Sequence, residues 1–153
     1  MKATIRLGEV LLRDATPADA PAVAALIHEL AESGGERSPL TPEFAAAYLG
    51  NPASRILLAE AGGQVVGLLS YSIRPDLYHA GHSALIEELV VRAPWRGQGI
   101  GGALVRKLLA RLEALGCAEV SVSTLPDNAG ALRFYRAHGF TDEAVYLEKH
   151  FGK

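Results

Sequence analysis

Cysteine is almost absent: Cys117 is the single thiol in 153 residues. One thiol cannot close an intramolecular disulfide, so a reducing, cytoplasmic setting is expected. A lone cysteine can serve as a nucleophile, but Cys117 sits at the front of an apolar strand with no histidine near it in the chain. A packed structural role is therefore expected. Long apolar runs are missing too. None approaches the roughly 20 residues of a membrane-spanning helix, so no membrane partner is expected. The start, Met1-Lys2-Ala3-Thr4-Ile5-Arg6, is not followed by an apolar core of the secretory kind, and no leader is expected. Neither sign of charge dominates: 15 Lys and Arg against 17 Asp and Glu leave a net charge of −2. That lacks the basic footprint of a nucleic-acid binder. No repeat, linker or low-complexity tract divides the chain. One domain over residues 1–153 is expected, long enough to bury roughly two thirds of its unfolded surface.

Glycine, by contrast, is concentrated. Gly97, Gly99, Gly101 and Gly102 fall within six residues, after the apolar run ending at Val91 and after Pro94. Proline stops the strand. An apolar helical pattern then opens at Ile100. A strand, a glycine loop and a helix start together build an anion site. The first helical amides lack partners and sit at the positive end of the dipole. Glycines let those amides approach a phosphate closely.

Three readings of this loop compete. Gly97-Gln98-Gly99-Ile100-Gly101-Gly102 matches the dinucleotide pattern G-x-G-x-x-G. In that fold, however, the first glycine follows the strand almost directly and a long alternation of strands and helices comes after it. Here Pro94-Trp95-Arg96 intervene, and the rest of the chain is too short. Glu119 has the spacing of a ribose-binding acid but falls at the start of the next strand, not its end. A phosphate loop of the Gly-Lys-Ser/Thr kind fails, because Ala103 follows Gly102. In the third reading, Arg96-Gly97-Gln98-Gly99-Ile100-Gly101 resembles the R/Q-x-x-G-x-G/A pyrophosphate loop of the GCN5-related N-acetyltransferase superfamily. Downstream, Asn128-Ala129-Gly130-Ala131-Leu132-Arg133-Phe134-Tyr135-Arg136-Ala137-His138-Gly139-Phe140 resembles its second signature, a tyrosine-bearing helix closed by Gly-Phe. The two occur in the expected order. The resemblance is firm over residues 85–140 and looser elsewhere.

Along the chain, residues 10–13 read as a first strand. Thr16 and Pro17 start a helix with apolar positions at Ala22, Val23, Leu26, Ile27 and Leu30. Thr41-Pro42-Glu43 starts a second helix by the same grammar. Residues 55–60 and 64–71 are strands joined by Ala61-Gly62-Gly63 as a hairpin. Arg74-Pro75-Asp76 is expected to break the second of these, leaving Tyr78, His79 and His82 in a loop. Strands are expected over residues 83–91, 118–124 and 144–151. Helices are expected over residues 100–115, closed by Gly116, and over residues 128–137, closed by Gly139. This order implies an α/β fold: a mixed, mostly antiparallel central sheet with helices on both faces. It also resembles the acetyltransferase fold.

The resemblance assigns residues 96–102 (Arg96, Gly97, Gln98, Gly99, Ile100, Gly101, Gly102) to the pyrophosphate of coenzyme A, bound mainly through backbone amides. It places Leu89, Val90 and Val91 along the cofactor, with an amide near Val91 polarising the thioester carbonyl. Arg92, Arg96, Arg106, Lys107 and Arg111 share a segment without acids. Arg106 and Arg111 read as a solvated helix face, and Arg96 as a ligand. Glu87 and Glu88 are adjacent acids in an apolar strand, expected to face opposite ways. A carboxylate facing protein needs a partner or a cleft. An alkylammonium with a pKa near 10 must lose a proton before it attacks, so one of the two is read as the base. Glu88 leads on its register before Leu89-Val90-Val91, which resembles the family's acid. The alternative is a structural ion pair. Tyr135 is read as the proton donor to the departing thiolate and as a cofactor contact, against a core-aromatic role that suits Phe134 better. Asn128 is a helix cap and, by resemblance, a cofactor contact.

His79 and His82 have metal-like spacing but no third ligand near, and no metal is expected. Glu29, Glu32 and Glu36 give an acidic edge, and the acceptor pocket is expected from residues 29–40 and 71–82. The implied activity is transfer of acetyl from the cosubstrate acetyl-CoA to a primary amine of a small molecule or protein, by direct attack in a ternary complex. A longer acyl group, or a non-catalytic acyl-CoA sensor, is the competing reading. A homodimer stands among the expectations.

Overall fold

The computed structural model describes residues 3–152; Met1, Lys2 and Lys153, which the expected start and the single-domain span include, lie outside it. The elements are β1 (Leu11–Asp14), α1 (Ala20–Ser33), α2 (Pro42–Gly50), β2 (Arg55–Ala61), β3 (Gln64–Asp76), β4 (Gly81–Val91), α3 (Ile100–Ala114), β5 (Glu119–Val122) and α4 (Ala129–Ala137). The five strands form one sheet in the order β1-β2-β3-β4-β5. The first three pairings are antiparallel and β4 with β5 is parallel. This is the mixed α/β architecture expected.

Both faces of the sheet are apolar because both are covered. On one face α1 and α2 bring Ala20, Val23, Leu26 and Ala45 against Ile56, Leu58, Leu68 and Val90. On the other, α3 brings Leu104, Val105, Leu108 and Leu112 against Leu57, Ala59, Leu69 and Ile86. Each buried Leu, Ile or Val side chain here contributes roughly 1.5–3 kcal/mol. Gly67 permits the close approach of α3: a Cβ there would stand 3.3 Å from Ile100 Cγ2 and Leu104 Cδ1.

The proline grammar holds at both early helices. Thr41 Oγ1 accepts from Phe44 N at 3.1 Å. At the other, Pro17–Asp19 forms a 3-10 turn and the α-helix begins at Ala20. Asp19 fastens that corner by accepting from Thr16 N and from the Arg13 guanidinium.

Two expectations fail. Pro75 does not break β3, which runs on to Asp76 and pairs Pro75 with His82 in β4. The last partner of β3 in β2 is Arg55, opposite Tyr71. Beyond that point β3 is an edge, where a missing N–H leaves no gap in a ladder. His82 is thus a strand residue, and only residues 77–80 form the turn. The second failure is the expected strand at 144–151. Residues 141–152 carry no secondary structure, and Val145, Leu147 and Phe151 are 86%, 88% and 86% exposed. Alternation makes a strand only where a neighbour completes its hydrogen bonds, and this segment lies on no ladder.

Candidate active site

The glycine loop has the conformation its composition demands. Gly97 and Gly99 have φ of 76° and 86°, values that an L side chain rarely adopts. Gly99 is the N-cap of α3. The first helical bond runs from Ala103 N to Gly99 O at 3.0 Å. The amides of Ile100, Gly101 and Gly102 therefore have no helical acceptor. They fit a diphosphate by dipole and by donor supply. The side chains of the loop are already engaged. Gln98 accepts from Ile5 N at 2.8 Å and donates to Ala3 O, tying down the N-terminal segment. Arg96 donates to Val91 O at 2.7 Å and pairs with Glu29 of α1 at 3.0 Å. The carboxylate of Glu29 also accepts from Ala93 N at 2.7 Å. An anion-like group from α1 thus sits beside the loop.

Strand β4 changes character halfway. Its pairing with β5 covers only Ser83 to Ile86. From Glu87 onward it keeps β3 alone. Arg92 N donates to Val66 O at 2.8 Å. By antiparallel alternation, the amides of Val90 and Arg92 point to β3, and those of Leu89 and Val91 point the other way, where no strand stands. The two strands part there, and among the described residues the Leu89 and Val91 amides meet no strand on that side.

A bulge lies at the same place. Ser70 pairs with Glu88, but Tyr71 pairs with Ile86, so Glu87 is an extra residue. A bulge shifts the alternation by one. Ala84 and Ile86 face the α3 layer, and beyond the bulge Leu89 and Val91 do. Both Glu87 and Glu88 are left toward α1 and α2, where Val90 packs. This corrects the expectation that the two acids face opposite ways. Their shared environment is felt at Tyr48 of α2, whose hydroxyl pKa is pushed up by burial and then by the charges of Glu87 and Glu88. The Glu87 carboxyl is itself pushed up by burial, with a smaller effect from Glu88. Glu88 accepts a short hydrogen bond from Ser70 Oγ, which in turn accepts from Glu88 N at 3.0 Å.

On that side a pocket of about 200 Å³ opens between α1, α2 and the sheet, with Glu88 and Ser70 among its lining residues. Leu40 and Ser38 line it, as expected of the segment after α1. None of residues 71–82 does: Tyr71 is buried, with its hydroxyl 3.0 Å from Arg111 Nη1. Arg111 also pairs with Asp14 at 2.8 Å, so it is a half-buried tie between α3 and the sheet, not part of the solvated helix face expected of it.

Tyr135 sits on α4, edge-on to Phe134 and Phe140 with ring centroids 5.0 and 5.5 Å away. Its hydroxyl pKa is pushed up to about 12 by burial alone. Phe134 closes α4 onto the loop: a Cβ on Gly101 would lie 3.8 Å from its Cζ. Asn128 caps α4, its Oδ1 accepting from Ala131 N at 3.0 Å. Cys117 is half-buried against the core. Among the described residues, no group of three or more His, Cys, Asp or Glu is placed to hold a metal ion. His79 instead lies 2.6 Å from Asp76 at the hairpin tip.

Two features escaped sequence reasoning: the Glu29–Arg96 pair and the Ser70–Glu88 contact. Each joins segments distant in the chain, and neither leaves a local pattern.

Comparison with known proteins agrees with this geometry. The family model described as Acetyltransferase (GNAT) family matches residues 22–140. The chain is 35% identical over 140 residues to an aminoalkylphosphonate N-acetyltransferase of Salmonella typhimurium, covering 92% of this chain and 86% of that one. It is 30% identical to an aminoglycoside N(6')-acetyltransferase type 1 of Stenotrophomonas maltophilia, covering 89% and 90%. A crystal structure of an aminoglycoside acetyltransferase from an uncultured soil metagenomic sample, in complex with sisomicin, superposes with a TM-score of 0.81. It is 22% identical and covers 95% of this chain and 97% of that one.

Proposed function

The chain belongs to the acetyltransferase (GNAT) family, and from that premise we propose how its residues carry N-acetyl transfer from acetyl-CoA to a primary amine. The observation that carries the reading is the parting of β4 from β5 after Ile86. It leaves the amides of Leu89 and Val91 facing the gap where the two strands part.

Acetyl-CoA supplies an activated acyl group. The amides of Ile100, Gly101 and Gly102, with Gln98 and Gly99 shaping the turn, hold its diphosphate. Arg96 joins them on leaving Glu29, and Gly97 gives the loop its bend. Leu89 and Val91 line the thioester arm through their backbones, while Val90 fixes the strand by packing. A free amide here stabilises the oxygen that gains charge as the amine attacks. Glu88 takes the proton of the incoming ammonium, directly or through water, and Ser70 orients its carboxylate. Glu87 lends negative charge that draws a cation to the pocket. Tyr135 points a protonated hydroxyl at the leaving sulfur. With a pKa of about 12 against roughly 8.5 for a thiol, it stabilises the thiolate by hydrogen bonding rather than by complete proton transfer. Asn128 sets the start of the helix that carries it.

The wider reading is one acetyltransferase domain acting in the cytoplasm without a metal, nucleic acid or membrane partner. The single thiol and the near-neutral charge support it, and no described helix is long and apolar enough to cross a membrane. A homodimer belongs to the same proposal, supported by the open edge of β5 and the exposed Val145, Leu147 and Phe151. The test of the central reading is a panel of primary amines assayed for free CoA release, beside melting curves with acetyl-CoA and with NAD. Release with at least one amine and selective stabilisation by acetyl-CoA are expected. Stabilisation by NAD alone overturns it.

A further inference from the structure

The pocket beside Glu88 differs in composition from its two ends. Its sheet side carries Ser70 and Glu88, hydrogen-bonded to each other. Its other lining residues are mostly apolar, Ile27, Leu40, Phe44 and Leu68 among them, with Ser38 and Tyr48 as the polar exceptions. Among the described residues, no Lys, Arg or His lines it and Glu88 is its only lining acid. Its size of about 200 Å³ exceeds the roughly 150 Å³ of an apolar cavity that takes benzene. A bound molecule therefore meets one anionic point, the two uncharged polar side chains of Ser38 and Tyr48, and otherwise apolar walls.

We propose that the acceptor is a primary amine whose ammonium is its only charge and whose body is an apolar chain or ring of about six carbons. This rests on the acetyl-transfer reading above. The ammonium faces Glu88, with Glu87 adding field from the same side of β4, and the body lies against Leu40, Phe44 and Leu68. A phosphonate or carboxylate on the acceptor would lose its water and find no cation. A second ammonium further along the body would be desolvated against apolar side chains, because both acids, Glu87 and Glu88, already serve the first. Both are strongly disfavoured. Apolar length is favoured by about fourfold per buried methylene.

The experiment compares kcat/KM for ethylamine, butylamine, hexylamine, 2-phenylethylamine, 2-aminoethylphosphonate and spermidine, with acetyl-CoA saturating. In parallel, calorimetry measures binding of each amine to the protein in the presence of CoA. Hexylamine and 2-phenylethylamine are expected to exceed ethylamine by roughly a hundredfold, with the two multiply charged amines below hexylamine by at least that factor. Leu40→Ala should shrink the hexylamine-to-ethylamine ratio by roughly tenfold. Ser38→Arg, which sets a guanidinium at the half-buried rim, should shift preference toward 2-aminoethylphosphonate. Preference of the wild type for the phosphonate or for spermidine, or a flat response to chain length, overturns the inference. Chain-length-dependent binding without acetylation supports the specificity of the pocket and overturns the transfer reading instead.

Discussion

The β3–β4 hairpin carries a serine–carboxylate hydrogen bond at two levels, Ser83 to Asp76 near the tip and Ser70 to Glu88 near the middle. Both serines are buried, at 1% and 2% exposure. The surroundings differ. Asp76 also accepts from His79 N at 3.2 Å and lies 2.6 Å from His79 Nδ1. The bonds from Ser83 and then His79 hold its carboxyl well below the usual carboxylate range. A carboxylate so supplied with donors closes a turn and makes a poor base. Glu88 has one serine and a pocket before it. The difference lies in how complete the ladder is. At the level of Ser83, β4 is paired on both sides; at Glu88 it is bulged and has lost β5. Reactive groups sit where pairing stops, since only there do backbone and side chain keep unspent hydrogen-bonding capacity.

The largest effect expected is from Glu88→Gln. Turnover should fall by roughly 10²–10⁴-fold near neutral pH, where most of the amine is protonated. It should recover in part at high pH, where free amine is abundant. The melting temperature should barely move. Glu87→Gln should cost less than about tenfold, because its carboxylate supplies field and takes no proton. A pH-independent loss shared equally by both variants would put Glu88 with Asp76, as structure.

Next is Tyr135→Phe. The ring and its packing on Phe134 and Phe140 stay, and only the hydroxyl goes. Turnover should drop by about a hundredfold, roughly 2.7 kcal/mol at 1.36 per decade. The affinity for CoA, measured by calorimetry, should hold because the proposed diphosphate ligands are backbone amides. Near-normal turnover would return Tyr135 to the core with Phe134.

Much of this was readable in advance, for local reasons. The glycine loop, the two proline-led helix starts and the Asn128 cap are short-range grammar, and each appears where the chain spells it. The sheet was legible because apolar runs on both faces, as at Ile56, Leu57, Leu58 and Ala59, need layers on both sides. What escaped depends on pairing. Whether Pro75 breaks a strand depends on where β2 ends. Whether 144–151 forms one depends on a neighbour. The bulge that turns Glu87 and Glu88 to the same side belongs to β3 and β4 together, so strict alternation misplaces one acid. Glu29 on Arg96 joins residues 67 positions apart, beyond any local pattern.

Gly99→Ala sharpens the contrast from outside the hairpin. A φ of 86° costs a non-glycine residue roughly 1–2 kcal/mol. The new Cβ would also stand 3.2 Å from Leu7 Cδ1. The loop should relax and misplace the α3 amides. The KM for acetyl-CoA should rise by roughly tenfold, with the amine preference retained. A changed amine preference with an unchanged KM would detach the loop from the cofactor.

The smallest effect on chemistry is expected from Asp76→Asn, and its pH dependence makes it the sharpest check on the comparison. The shape is preserved, and the charge that gathers Ser83 and His79 is removed. A carboxylate whose folded pKa is depressed stabilises the native state fully above its ordinary value near 3.9. That contribution declines as pH drops from there through the depressed folded value. Wild type should therefore melt higher than Asp76→Asn at pH 7, and the gap should close as pH falls below about 4. Turnover per folded molecule, measured well below the melting point, should match wild type across the neutral range, because residues 76–83 lie outside the proposed acceptor pocket. A turnover loss in Asp76→Asn as deep as that in Glu88→Gln would mean that the two ends of the hairpin act as one unit, and the division between a closed carboxylate and an open one would fall.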